Sequence, residues 1–193
     1  MAAAAAMAAV LALGCGTIVS NTGNPGRPDT VTPADLLGPF EGQVLEQETG
    51  KPVAGALVVG SFGYSRGVGL RAPAGAGVVE ASTDADGRYR LVAPATLPTG
   101  PSVRLDRFTL IVYRRGFVAY RSDRRLQGLE VLPRQDFSQR GNSIRLVKLD
   151  AAVGHARHLE FIGVWGGPPR LAKALAWEFD EAARQTEPAR TTP

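Results

Sequence analysis

Residues 82–91 read STDADGRYRL, and the fold turns on whether the two aspartates and the glycine hold a cation or reverse the chain. Asp-x-Asp-Gly opens like a calcium loop. A loop of the EF-hand kind, however, needs further oxygen ligands after its glycine and closes on a bidentate glutamate. This chain follows Gly87 with Arg88 and Arg90, and Tyr89 and Leu91 alternate with them as in a half-buried strand. The stretch therefore predicts a turn, with Asp84 bonding the backbone through its own side chain and Gly87 supplying a positive φ. Such a turn joins VVEAST (78–83) to RYRLVA (88–93) as a hairpin.

Outward from this turn the chain repeats one rhythm, short apolar stretches broken by Gly, Pro and Asp, which is the signature of a sandwich or barrel. FEGQVLEQ (40–47) alternates, ETGKPVAG (48–55) punctuates and ALVVGSFGY (56–64) resumes. Gly50 and Gly55 suit positive φ, Pro52 fixes its own φ, and Val53 is expected to plug the core under the turn. RFTLIVY (107–113), FVAYRS (117–122) and NSIRLVKLD (142–150) follow, the last with Ile144 and Leu146 on one face. The expectation is a mainly β chain, a single antiparallel β-sandwich of about seven strands over residues 39–150. After Asp150 the period becomes helical. AAVGHARHLEFI (151–162) suits a short helix, and PPRLAKALAWEFDEAARQ (168–185) a longer one opened by prolines. Its Leu171, Leu175, Phe179 and Ala182 share a face, so residues 151–185 are expected as a helical extension against the sandwich. Glu178, Asp180 and Glu181 lie near its C-terminal end, where the helix dipole disfavours acids. The tail 186–193, TEPARTTP, is predicted to be disordered.

The chain has 193 residues, 23 of them glycine and 14 proline, a share that favours turns between strands over a helical bundle. A net charge of +4 is what any solvated basic protein carries and leaves contact with anionic surfaces open. One cysteine, Cys15, excludes an internal disulfide. It directly follows MAAAAAMAAVLALG (1–14), an apolar run too short to span a bilayer but of the length of a secretory signal core. LALGC (11–15) resembles the bacterial lipobox, which implies a cleaved signal over 1–14, an acylated Cys15 and a bacterial cell envelope address, at the outer membrane, facing periplasm or surface. Each buried CH₂ of an acyl chain contributes about 0.8 kcal/mol, so two or three chains hold such a protein on a membrane. Residues 15–38, rich in Gly, Pro, Asn and Thr, then read as a flexible linker.

FEGQVLEQETGKPVAGALVV, STDADGRYRL, LIVYRRGF and IRLVKLD, in this order, resemble the carboxypeptidase regulatory-like family over roughly residues 39–150. Gly42, Val44, Thr49, Gly50, Pro52, Gly55, Ala56, Val58, Thr83, Asp84, Gly87, Tyr89, Leu91, Gly116 and Phe117 stand at its motif positions. The resemblance implies a transthyretin-like or immunoglobulin-like sandwich, a scaffold without catalytic residues or cofactor. The implied function is a non-catalytic, lipid-anchored envelope protein acting as an interaction or structural module. Its implied partners are the membrane, through the acyl chains, and an envelope protein or an anionic or glycan polymer, with no nucleic acid among them. The run FGYSRGVGLRAPAGAG (62–77) departs from the family as an insertion, read as a long loop. Within it Phe62, Tyr64, Arg66 and Arg71 offer aromatic and guanidinium surface, which makes a carbohydrate-binding module the second reading.

A third reading is a small metal-dependent hydrolase. His155 and His158, the only histidines, fall at i, i+3 with Glu160 nearby. Two nitrogens are not a metal site, Glu160 lies off their face, and neither H-E-x-x-H nor G-x-S-x-G is present. No metal is expected. The arginine-rich stretch from Arg104 to Arg145 reads as a solvated sheet face or a contact for anionic polymers.

Overall fold

A computed structural model describes residues 18–19, 39–67, 70, 72–94, 103–138, 140–163 and 168–186. The expected signal over 1–14, the acyl site Cys15, most of the linker, Arg71 and all but Thr186 of the tail lie outside them. The order of elements is β1 (Ile18–Val19), β2 (Phe40–Glu46), β3 (Leu57–Arg66), β4 (Ala72–Ser82), β5 (Arg88–Leu91), β6 (Val103–Tyr113), β7 (Tyr120–Arg121), β8 (Arg124–Gln127), β9 (Glu130–Pro133), β10 (Asn142–Leu146), α1 (His155–Ile162) and α2 (Pro169–Thr186).

The protein is mainly β, a sandwich with a C-terminal helix pair. One sheet runs β1-β6-β3-β4 with β7 on β6, and the other runs β10-β2-β5. Two details differ from the sequence expectation. The strands are more numerous than seven, and β10 lies parallel to β2, pairing Ile144 with Val44. Ile18–Val19, expected as plain linker, pairs parallel with Arg104–Leu105 of β6.

Side chains alternate along a strand, so consecutive residues face opposite sides of a sheet. In β3 and β6 both sides are buried. Val58, Phe62, Phe108, Leu110 and Val112 point toward the second sheet and meet Phe40, Val44, Tyr89, Leu91, Ile144 and Leu146. Leu57, Val59, Ile111 and Tyr113 point the other way and meet Phe161, Ile162, Leu171 and Leu175 of the helices. The continuous apolar runs of these strands reflect a sheet covered on both faces. The architecture is therefore three layers, β/β/α. Phe40 and Phe108 stack at its centre with centroids 4.1 Å apart, and Phe62 tilts against Phe108 at 5.0 Å.

The turn at Asp84–Gly87 has the predicted chemistry and an unpredicted role. Asp84 Oδ1 accepts the backbone N–H of Asp86 at 3.0 Å and of Arg88 at 2.8 Å, and Gly87 has φ +71°. A β carbon on Gly87 would overlap the carbonyl oxygen of Val44, whose own N–H bonds Gly87 O at 2.8 Å. The strands it joins are not a hairpin: β4 pairs β3 in one sheet, and β5 pairs β2 in the other. The turn carries the chain across the sandwich. Thr83 fastens this crossing, accepting Ala56 N–H at 2.8 Å and donating to Val53 O at 2.7 Å. Gly50 and Gly55 take positive φ around Pro52, and Val53 is buried beneath them as expected.

Residues 62–66 and 72–77 of the supposed insertion loop are also strand. β3 and β4 pair from Leu57–Ser82 out to Arg66–Ala72, with a register irregularity at Tyr64/Ser65. A second hairpin, β8–β9, turns at Gly128 where the sequence rhythm gave no strand.

Candidate functional site

The residue types capable of chemistry converge where the helices meet the first sheet. α1 is bounded by Gly154 and Gly163, both at φ +67°, and Gly163 N–H closes on Leu159 O at 3.0 Å. Its final carbonyls carry the negative end of the helix dipole. Arg124 Nη2 donates to Phe161 O at 2.6 Å and Arg121 Nη1 donates to Ile162 O. Arg121 is at the same time bidentate on Asp123, at 2.9 and 2.8 Å. Two arginines of the basic stretch thus fix α1 to β7 and β8 and do not face solvent as an anion-binding row. Others are engaged as well: Arg115 lies over the Trp177 ring at 4.2 Å and Arg134 over Tyr120 at 4.2 Å.

α2 brings Glu178 to the centre of this junction. Leu171, Leu175 and Glu178 are its buried residues, at i, i+4 and i+7, whereas Phe179, expected inside, is exposed. Glu178 Oε1 accepts Nδ1–H of His158 and, at 3.2 Å, Nδ1–H of His155. Glu178 Oε2 accepts the Tyr113 hydroxyl at 3.0 Å, and Tyr113 Oη in turn accepts Trp177 Nε1–H at 2.7 Å. His158 is fully buried, and its Nε2 accepts the backbone N–H of Ala119 at 2.8 Å. That acceptance places the ring proton on Nδ1.

The electrostatics follow from this geometry. Burial acts to raise the Glu178 carboxyl, but the bonds from His158, His155 and Tyr113 outweigh it and hold the group below the ordinary 4.5. Burial, together with the Glu178 charge, pushes the Tyr113 phenol upward. A general base needs a lone pair facing its substrate. The His158 lone pair is occupied by a backbone amide, and both Glu178 oxygens are taken. His155 and Trp177 border a cavity of about 310 Å³ with Glu181, but His158 and Glu178 stand behind them. These bonds fasten the layers: one carboxylate ties α2, α1 and β6 together, and the His158 imidazole continues the tie to the segment after Phe117, while His155 is bonded through Nδ1 alone.

The other sequence-predicted residues are dispersed. Glu160 is exposed and pairs with Arg157, so the carboxylate of the histidine pair is Glu178. Among the described residues no three His, Cys, Asp or Glu side chains come within reach of one metal ion. Phe62 and Tyr64 are 2% and 4% exposed, both in the sandwich core, because β3 continues through them. This corrects the reading of a loop with ligand-binding aromatics: their rings are turned inward, and burial pushes the Tyr64 phenol up to about 12. Arg66 is exposed at the end of β3, remote from the helices in the topology. Sequence reasoning missed Glu178 as a partner, although an acid on the apolar face of α2 was the available signal.

No protein-family model and no curated protein matches the chain. Among solved structures, a 9R-lipoxygenase from Cyanothece PCC8801 is similar over 62% of this chain, at 19% identity and a TM-score of 0.22. The matched part spans 17% of that lipoxygenase, and the likeness is too slight to bear on fold or activity.

Proposed function

We propose that the protein is a lipid-anchored cell-envelope member of the carboxypeptidase regulatory-like family whose β/β/α body is a non-catalytic interaction or structural module. The observation that carries this reading is the closure of the Glu178 network. Among the described residues, Glu178, His158 and Tyr113 have their side-chain polar atoms bonded by groups of the body itself, and these bonds join its layers. The Asp84–Gly87 crossing, the Thr83 fastening and the close approach at Gly42 support the family. A β carbon on Gly42 would overlap Asn142 O and lie 2.8 Å from Tyr89 Oη. LALGC at 11–15 supports attachment through Cys15 and, with it, an envelope location. The partners this reading implies are the membrane, and an envelope protein or an anionic or glycan polymer met at the module's surface.

Metabolic labelling with an alkyne fatty acid in a bacterial host tests the anchor. The wild-type chain takes up label and sediments with membranes, while Cys15→Ser does neither. Label retained by Cys15→Ser overturns the anchor.

A further inference from the structure

Among the described residues, β4 pairs with β3 alone and forms the edge of the five-stranded sheet. An edge strand presents a row of open backbone donors and acceptors, and proteins usually blunt it with charge, proline or a bulge. β4 has such devices only toward its ends. Pro73 and the irregularity opposite Tyr64/Ser65 disturb its beginning, and Glu80, near its end, is turned onto α2, where Oε1 accepts Leu171 N–H at 3.1 Å. Between them, Ala74 to Val79 carries no ionisable side chain. In its middle Val78 is 46% exposed on the helix side, while Val79 packs against the sandwich core.

We propose that this edge is a self-association surface, on which a second copy of the chain adds its own β4 antiparallel about a two-fold axis at Val78. The occupant follows from the residues. An isologous contact requires a patch complementary to itself. Centred on Val78, the register sets Val79 against Gly77 and Glu80 against Ala76, large against small on each face. The two half-exposed Val78 side chains cover each other, and no like charges meet. The irregular Ala74–Gly75 segment falls outside the Ala76–Glu80 ladder. A register centred on Val79 sets Val78 against Glu80, which is held on α2, and one centred on Gly77 brings the irregular segment into the ladder. The contact is small, so the association is weak and reversible. It joins two five-stranded sheets into one continuous sheet and does not depend on acylation of Cys15.

Cysteine cross-linking of the full chain in a Cys15→Ser background tests the register. Cα atoms of directly opposed strand residues lie about 4.5–5.5 Å apart, inside the roughly 4.4–6.8 Å span of a disulfide. Residues two positions from the axis lie about 13 Å from their own copies. Under mild oxidation Val78→Cys therefore forms a covalent dimer at least about tenfold faster than Ala76→Cys or Glu80→Cys alone. The latter two variants cross-link to each other when mixed. Sedimentation of the cysteine-free chain at high concentration shows a rising average mass that Val78→Lys abolishes while the circular dichroism stays unchanged. Cross-linking no faster at 78 than at 76 or 80, or a mass unaffected by Val78→Lys, overturns the proposal, and so does a strict monomer.

Discussion

Truncation of Glu178 to alanine is expected to cost far more than any other acidic substitution on α2. The side chain is fully buried and accepts from His158, His155 and Tyr113. Its removal leaves His158 Nδ1–H and the Tyr113 hydroxyl buried without an acceptor. A buried donor left without its acceptor costs about 1–3 kcal/mol, about 2–6 kcal/mol for the two. Domains of this size lose about 2–4 °C of Tm per kcal/mol, which gives a fall of about 4–24 °C by calorimetry or thermal circular dichroism. Glu178→Gln keeps the shape and one acceptor oxygen but turns an amide N–H₂ toward a donor, so its fall is intermediate. Glu181→Ala, three residues on and paired only with surface Arg184, is the control and should stay within about 0.5 kcal/mol of wild type. A Tm for Glu178→Ala equal to that of Glu181→Ala would refute the reasoning, because the network would then hold nothing.

The same carboxylate makes stability depend on pH. Its folded value lies below the ordinary 4.5, so its contribution is fully present above that value and is lost as pH falls through the folded value. Urea midpoints between pH 7 and 3 should therefore fall more steeply in wild type than in Glu178→Gln; parallel profiles would contradict the assignment. Gly87→Ala combines a left-handed backbone, about 1–2 kcal/mol for an L residue, with the overlap on Val44 O, and denaturant unfolding should show a loss above 2 kcal/mol. A loss under 0.5 kcal/mol would mean that the crossing relaxes freely. Phe62→Ala removes a ring from the central aromatic cluster and should destabilise by about 3–5 kcal/mol. A small effect would return Phe62 to the surface role first assigned to it.

The strands were legible where a single face is buried. Alternation in 40–47, 88–91 and 142–146 placed β2, β5 and β10, and the turn residues Asp84, Gly87, Gly50 and Gly55 take the conformations their chemistry requires. Pairing was less legible, because a turn with hairpin chemistry also serves a crossing between sheets; only long-range contacts of β4 with β3 and β5 with β2 distinguish the two. Phe62 to Gly77 read as loop because glycine and alanine are poor strand formers, yet pairing on β6 and burial of Phe62 and Tyr64 override that propensity. The histidine pair was visible, but its partner was not. Glu178 and the Ala119 amide lie 20 and 39 residues from His158, so the network exists only after α2 and β7 have docked. The acid that the helix dipole disfavours is stabilised instead by three donors from outside its own backbone.

The protonation of His158 tests the central claim most directly. If the imidazole is a tie between Glu178 and the Ala119 amide, long-range ¹H–¹⁵N spectra of the folded protein show the proton on Nδ1 and an unprotonated Nε2. The Ala119 amide then exchanges slowly with solvent in wild type and rapidly in His158→Leu. A proton on Nε2, or an Ala119 amide exchanging equally fast in both proteins, would contradict the account and free the ring for chemistry.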